Sequence, residues 1–192
     1  MARTKEYKRD EVLEKATALF WLKGFEATSM SELVEVTGLN SASMYKEFGN
    51  KEGLFENTLQ SYQKKRLEPF IRPLAEEPNM KGIERFLDAI RANATSPDFK
   101  GCLMMNTLAE KNTVSATAIN RIEKFCIKLK TLLEVAIRGA QRDGAVSRGK
   151  TASEFADYII CLIQGMTLYG RINDNKASIA SIIDTVKTTL RG

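Results

Sequence analysis

Apolar residues recur at three- and four-residue spacing along most of the chain, and this spacing is typical of helices that bury one face. The first such stretch spans residues 9–23, and Gly24 follows it as a C-cap. A short second helix is expected after Ser29, because Ser29 and Glu32 have the spacing of a capping box; it ends near Gly38. No segment alternates convincingly as a strand. The pattern therefore predicts an all-α fold.

Two more short helices follow in quick succession. Asn40 is placed to cap a third helix over residues 41–48, which a tight turn at residues 37–39 separates from the second. Gly49 and Asn50 then end that helix and cap a fourth, which runs from residue 51 to about residue 66. Two short helices joined by a glycine-containing turn predict a helix-turn-helix.

Prolines interrupt the pattern after residue 66, and they indicate a domain boundary near Leu67 that the fourth helix bridges. Beyond them the apolar spacing predicts further helices, about nine in the whole chain. They span residues 82–94, 101–111, 115–142, 151–171 and 176–190. The expected architecture is an N-terminal three-helix helix-turn-helix domain followed by a larger C-terminal helical bundle.

The helix expected at residues 151–171 is more apolar than one side of an exposed helix needs to be. Part of it can face a second subunit, or it can be the central helix of a larger bundle, and periodicity alone does not separate the two interpretations. The residues that would form a dimer interface on this helix and the next are Phe155, Tyr158, Ile159, Leu162, Met166, Ile182 and Val186.

Composition narrows the possible chemistry. The chain has no histidine, and its three cysteines, Cys102, Cys126 and Cys161, are far apart and lack CxxC spacing. Histidine is the commonest general base and metal ligand, so neither a metal site nor a cofactor is predicted and an enzyme is disfavoured. An odd number of scattered cysteines also argues against a disulfide framework.

Charge and hydropathy bear on location and partners. The formal net charge of +5 is compatible with an anionic partner, and the clearest basic cluster precedes Asp10, at Arg3, Lys5, Lys8 and Arg9. The first residues have no signal-peptide pattern, and no apolar run approaches the roughly 20 residues needed to cross a bilayer. A cytoplasmic protein is expected.

One possible function is that of a nucleotide-binding enzyme, because residues 144–151, GAVSRGKT, match the phosphate-binding pattern GxxxxGK[ST]. That loop works after a buried parallel strand, whereas the residues before it here are helical and charged. Thr151 and Glu154 also have the spacing of a capping box, which gives Thr151 a simpler role. A helical scaffold without DNA binding is a third possibility.

The stretches Thr28-Ser29-Met30 and Leu39 to Phe55 resemble the DNA-binding signature of the TetR/AcrR family, at motif level over residues 9–60. The resemblance implies a homodimer that represses transcription, with its helix-turn-helix heads in successive major grooves of a palindromic operator. It implies a DNA-binding domain at residues 1–50, the bridging helix 51–66, and an effector-sensing and dimerisation domain at 67–192.

The resemblance also implies which side chains contact DNA. The residues expected near base edges, at the start of the third helix, are Ser41, Ala42, Ser43 and Lys46, with Asn40 as the cap. Phosphate contacts are expected from Thr28 or Ser29, Tyr45 and Lys51. The family often has proline at the place of Gly49 and a basic residue or histidine at that of Glu47, and this chain departs at both.

The segment Gly101 to Thr107 resembles part of one branch of the family, which includes members whose cysteine senses oxidants or electrophiles. Cys102 is the candidate sensor, because Lys100 and a helix N-terminus would favour its thiolate. The alternative is a small-molecule effector in an apolar pocket, or plain core packing of the same side chains. The candidate lining residues are Phe86, Met104, Met105, Phe125 and Tyr169.

Overall fold

The computed structural model describes residues 9–172 and 176–192, and within them every regular element is a helix. Ten α-helices and one π-helical turn make up this part of the chain. The helices are α1 Arg9–Lys23, α2 Met30–Thr37, α3 Ser41–Phe48, α4 Lys51–Tyr62, α5 Glu68–Glu76, α6 Met80–Ala94, α7 Leu103–Ala109, α8 Ala116–Arg142, α9 Ala152–Ile172 and α10 Lys176–Arg191, and the π-helical turn is Gln63–Leu67. The all-α fold is confirmed.

Helices α2 and α3 begin and end where the sequence predicts, and α1 ends at the predicted Gly24, because local caps and glycines define these positions. Ser29 and Glu32 form the predicted capping box at the start of α2, and Asn40 accepts a hydrogen bond from the Ser43 amide at the start of α3. Gly38 ends α2 with a φ of +71°, a left-handed conformation that a residue with a Cβ adopts only at a cost.

The expectation that prolines break the helix after residue 66 was wrong. The chain continues through the π-helical turn into α5, which contains both Pro69 and Pro73. Pro69 lies in the first turn of α5, where the backbone amide needs no partner within the helix. Pro73 lies inside the helix, where the missing amide removes one backbone hydrogen bond. This helix is the one that the sequence interpretation did not include.

The chain divides into two compact units. Unit 1 consists of the residues up to Lys65 together with Leu103–Ile122, and its core contains the rings of Phe20, Phe25 and Phe55. The Phe20 and Phe55 ring centroids are 4.8 Å apart in an edge-to-face arrangement, and those of Phe25 and Phe55 are 4.9 Å apart. These aromatic contacts join α1 to α4 behind the helix-turn-helix.

Unit 2 consists of Arg66–Cys102 and Glu123–Gly192. In it α6 packs against α5, α9 and α10, and the fully buried side chains of this core include Phe86 and Ile83. Ion pairs join α6 to α10 outside this core: Arg191 with Glu84 at 2.6 Å, Arg91 with Asp184 at 3.1 Å, and Lys187 with Asp88 at 2.7 Å. These compact units do not test the functional domain boundaries expected from the sequence, which stay a prediction.

Two expectations concern the whole chain. Of the basic cluster before Asp10, only Arg9 lies in the described part of the chain; Arg3, Lys5 and Lys8 lie outside it. Among residues 9–172 and 176–192, no helix is both long enough and apolar enough to span a membrane.

Candidate nucleic-acid interface

The turn between α2 and α3 is held by the side chain of Thr37. Its hydroxyl donates to the Leu33 carbonyl at 2.6 Å and accepts from the Leu39 amide at 3.3 Å. Leu39 itself is buried. The hydroxyl therefore ties the last turn of α2 to the residue just before the cap of α3, and this fixes the angle at which the second helix leaves the turn.

Helix α3 has two faces of different chemistry. Met44 and Phe48 are buried in unit 1, whereas Ser41, Ala42 and Lys46 are exposed and Tyr45 is 51% exposed. Ser43 is half-buried next to the cap, where its amide donates to Asn40 Oδ1 at 2.8 Å. Ser41, Ala42 and Ser43 thus lie in the first turn of α3 and Lys46 lies in its last turn. A short helix with one exposed face suits recognition in the major groove.

The two departures from the family signature have structural explanations. Glu47 Oε1 accepts a hydrogen bond from Arg9 Nε at 3.0 Å, which joins α3 to α1. Arg9 also donates to Asn57 Oδ1 at 2.6 Å, which joins α1 to α4. Gly49 has a φ of +79°, which the ring of a proline cannot adopt. These contacts could not be predicted from the sequence, because Glu47 and Asn57 are 38 and 48 residues away from Arg9.

Ser29 lies exposed at the N-terminus of α2, where the backbone amides of a helix attract anions. Its hydroxyl accepts from the Glu32 amide, and Glu32 accepts from the Ser29 amide at 3.0 Å. Glu32 also pairs with Lys23. The hydrogen bond from Lys23, followed by those from Ser29, lowers the pKa of Glu32 to about 2.

Thr28 and Lys51 are engaged inside the protein. Thr28 is 1% exposed, and its hydroxyl donates to the Gly24 carbonyl at 2.6 Å. The Lys51 ammonium group donates to the carbonyls of Phe25 and Thr28 at 3.0 Å each and to that of Glu26 at 3.4 Å. It also lies 4.4 Å from the centroid of the Phe25 ring. Both side chains therefore hold the α1–α2 turn, which we define as residues 24–28.

The phosphate-loop pattern at residues 144–151 has a different structure from the loop that binds nucleotides. It follows helix α8, and its amides have protein partners: Ser147 donates to the Leu190 carbonyl at 2.8 Å and Gly149 to the Ser147 hydroxyl at 3.1 Å. Thr151 and Glu154 form the predicted capping box at the start of α9. These bonds occupy amides that a phosphate would need.

The candidate sensor residues are spread over both units. Cys102 and Cys126 are half-buried in unit 2, and burial, followed by the charges of Cys102 and Glu123, raises the pKa of Cys126. Phe86 and Phe125 are buried in unit 2, whereas Tyr169 is exposed on α9. Met104 is buried in unit 1, where the half-buried Met105 also lies. A pocket lined by all five residues stays a prediction.

The residues suggested for a dimer interface divide into two groups. Phe155, Ile159, Met166 and Val186 are buried in the core of unit 2, whereas Tyr158, Leu162 and Ile182 are only half-buried. Other apolar side chains of α9 are more exposed: Leu168 at 62%, Tyr169 at 44% and Ile172 at 84%. With Gly165 and Arg171 they line a groove of about 500 Å³.

Comparison with known proteins identifies the family. The sequence profile of the bacterial regulatory proteins of the tetR family matches residues 12–58, and that of the tetracyclin repressor-like C-terminal domain matches residues 80–186. The chain belongs to the TetR family. The HTH-type transcriptional repressor ComR of Escherichia coli K12 is 32% identical over 98% of this chain and 90% of its own length.

Solved structures of the TetR family share the fold. A cysteine mutant of the regulator CifR, complexed with 26-bp double-strand operator DNA, has a TM-score of 0.84 and 21% identity over 98% of this chain and all of that chain. The reduced form of Escherichia coli NemR has a TM-score of 0.81 and 19% identity over 94% of this chain and 95% of its own. The predicted helix-turn-helix and C-terminal helical domain are therefore those of a TetR-family transcription regulator.

Proposed function

We propose that this TetR-family protein is a transcriptional repressor that binds a palindromic operator as a homodimer in the cytoplasm. The observation that carries the proposal is the exposed polar face of α3, formed by Ser41, Ala42, Tyr45 and Lys46 opposite the buried Met44 and Phe48. A helix anchored on one face and polar on the other fits the major groove of DNA. The relative ComR, which is similar over nearly the whole chain, is a repressor.

The side chains divide the work of recognition. Lys46 is exposed and has no ion pair or hydrogen bond within the described part of the chain, so its ammonium group is available to guanine acceptors. Ser41, Ala42 and Ser43 approach the neighbouring base edges at the N-terminal end of the same helix. Base contacts of this kind give sequence specificity, whereas contacts to phosphates give register.

Phosphate contacts are assigned to the two exposed candidates. Ser29 lies at the N-terminus of α2, where the helix dipole attracts a phosphate, and Tyr45 would donate its phenolic hydroxyl. Thr28 and Lys51 support these contacts indirectly, because their polar groups already bind the backbone of the α1–α2 turn. They fix the position of the α2 N-terminus.

The homodimer would form through the exposed apolar part of α9. Leu168, Tyr169 and Ile172 leave a contiguous apolar surface on one face of the helix, with Gly165 one turn before Leu168 and the exposed Cys161 one turn earlier still. A two-fold axis through such a surface buries the same side chains from both copies. Dimerisation then presents two α3 helices to the two halves of a palindrome.

Release from the operator would follow from modification of Cys102 or from binding of a small apolar effector. Either event acts only if it favours a conformation with lower operator affinity. Cys102 is the candidate thiol because burial raises the pKa of Cys126, which disfavours the reactive thiolate at that position. If Cys102 is the sensor, Cys102→Ser should retain operator binding and lose its release by an oxidant or electrophile. Normal release of that variant removes the redox mechanism and leaves a non-covalent effector.

The direct test is selection of binding sites from a random duplex library by the purified chain. The proposal predicts an enriched palindrome, and parallel selections with an oxidant and with ATP plus Mg²⁺ separate the alternatives. Loss of the palindrome with oxidant supports cysteine sensing. No enrichment under any condition contradicts the proposal and favours a helical scaffold, and enrichment only with ATP favours nucleotide binding at residues 144–151.

A further inference from the structure

Glu110 contacts the α1–α2 turn from a distant part of the sequence. Its Oε2 atom accepts a hydrogen bond from the Glu26 amide at 3.0 Å, although the two residues are 84 positions apart. Both lie in unit 1, where α7 packs against α1 and α4 and Glu110 follows directly on α7. The α1–α2 turn is therefore connected to the segment that contains α7.

The Glu110 carboxylate also lies close to Gly24, the first residue of the turn. A Cβ atom at Gly24 would stand 2.1 Å from Glu110 Oε1, much closer than two such atoms can approach. Gly24 has a φ of +84°, so its conformation favours glycine, and the Glu110 carboxylate occupies the space that a Cβ would take. The contact depends on the shape of the turn as well as on the hydrogen bond.

Glu110 completes a set of side chains that hold the turn from several directions. The Lys51 ammonium group binds the carbonyl side at Phe25, Glu26 and Thr28, and Glu110 binds the amide side at Glu26. The turn leads directly to Ser29, the cap of α2. A change in the position of the turn would move the N-terminus of α2, and α3 packs against α2.

We propose that Glu110 is a positioning residue for DNA binding: its carboxylate holds the α1–α2 turn in the geometry in which α2 and α3 fit the operator. This inference rests on the proposed function, because it needs an operator to bind. Removal of the Glu110 side chain should therefore weaken operator binding, whereas charge repulsion alone predicts the opposite change in affinity. An acidic side chain near DNA repels phosphates, so its removal would tighten binding if charge were its only effect.

The experiment compares three variants by fluorescence anisotropy on the selected operator. Glu110→Ala should weaken operator binding about tenfold, the size expected for one hydrogen bond to a charged group. Glu110→Gln should stay within about threefold of wild type, because the amide oxygen still accepts from Glu26. The matched control is Glu35→Ala, which removes an exposed acid of α2 that has no hydrogen bond or ion pair in the described part of the chain; it should bind as tightly as wild type or tighter.

Two further readouts separate positioning from loss of fold and from loss of a phosphate contact. The slope of affinity against salt concentration should be unchanged in Glu110→Ala, because no phosphate contact is lost. Amide exchange at Glu26, measured by NMR without DNA, should be faster in Glu110→Ala only. Circular dichroism checks that all variants fold.

The outcomes are distinct. Operator affinity of Glu110→Ala equal to or above that of wild type overturns the proposal, even if Glu26 exchanges faster, and leaves the repressor function intact. An equal loss in Glu35→Ala overturns it as well. A wild-type chain that selects no duplex overturns the proposed function and this proposal with it.

Discussion

The exposed faces of α3 and α9 differ in chemistry. On α3 most exposed side chains carry a polar or charged group, namely those of Ser41, Tyr45, Lys46 and Glu47, and the apolar Met44 and Phe48 are buried. On α9 the relation is reversed near its end, where Leu168 and Ile172 are among the most exposed apolar side chains of the described residues. The first face suits a hydrated, charged surface and the second suits an apolar one. We therefore propose that one protomer uses these two surfaces for two different partners, DNA at α3 and a second copy of the chain at α9.

The largest expected effect is on the apolar face. Leu168→Arg should weaken dimerisation by about a hundredfold or more, because central apolar side chains of an interface each contribute about 2–4 kcal/mol and the charge would be buried twice in a symmetric dimer. Sedimentation equilibrium measures the dimer dissociation constant. Leu22→Arg is the matched control, since Leu22 is 71% exposed on α1 in unit 1. A Leu168→Arg chain that dimerises like wild type would remove α9 from the interface.

The next effect is on the polar face. Tyr45→Ala should weaken operator binding about tenfold, the size expected from losing a phosphate contact and the packing of the ring, while dimerisation stays unchanged. Tyr45→Phe separates the hydroxyl from the ring. Anisotropy with the selected operator measures both variants. Wild-type affinity in Tyr45→Ala would mean that this face does not contact DNA as proposed.

A smaller effect separates support of the turn from contact with DNA. Lys51→Met should lower the free energy of unfolding by about 1–3 kcal/mol, because three backbone carbonyls lose a charged donor. Denaturant titration measures it, and Lys15→Met, at an exposed position of α1, is the control. The salt dependence of operator binding should keep its slope. A slope smaller by about one, with unchanged stability, would assign Lys51 to a phosphate instead.

The smallest effect concerns the cap of α2. The pKa of Glu32 falls from 4.5 to about 2 on folding, so the stabilisation is present above pH 4.5 and is lost as the pH falls toward 2. Glu32→Gln should therefore flatten the pH dependence of the melting temperature in that window. At neutral pH, where Glu32 of wild type is ionised, the variant should melt at a lower temperature by a nearly constant amount. Thermal melts followed by circular dichroism test this expectation. Identical acid limbs in the two proteins would show that the cap does not titrate.

A structural feature could be predicted from the sequence when the residues that cause it are close together along the chain. The ends of α1, α2 and α3 follow from caps and glycines within a few residues of each other, so they could be predicted. Helix α5 was missed because a proline looks the same in a sequence whether it lies in a first turn or in a helix interior.

In the candidate site, too, only the features that depend on neighbouring residues could be predicted. The exposed face of α3 follows from the family signature and the helical period, but the roles of Lys51 and Glu110 depend on partners 23 to 26 and 84 residues away. On α9 the period marks apolar positions without separating the protomer core from a subunit contact, which is why Phe155, Ile159 and Met166 were grouped with exposed residues.

If two copies of the chain read DNA through the exposed face of α3, a substitution on that face changes the sequence preference in both halves of the operator. Binding-site selection is performed in parallel with wild type and Lys46→Ala. We expect a palindrome for wild type and, for the variant, relaxed sequence preference at matching positions in both half-sites. An unchanged consensus, or a change confined to one half-site, would contradict it.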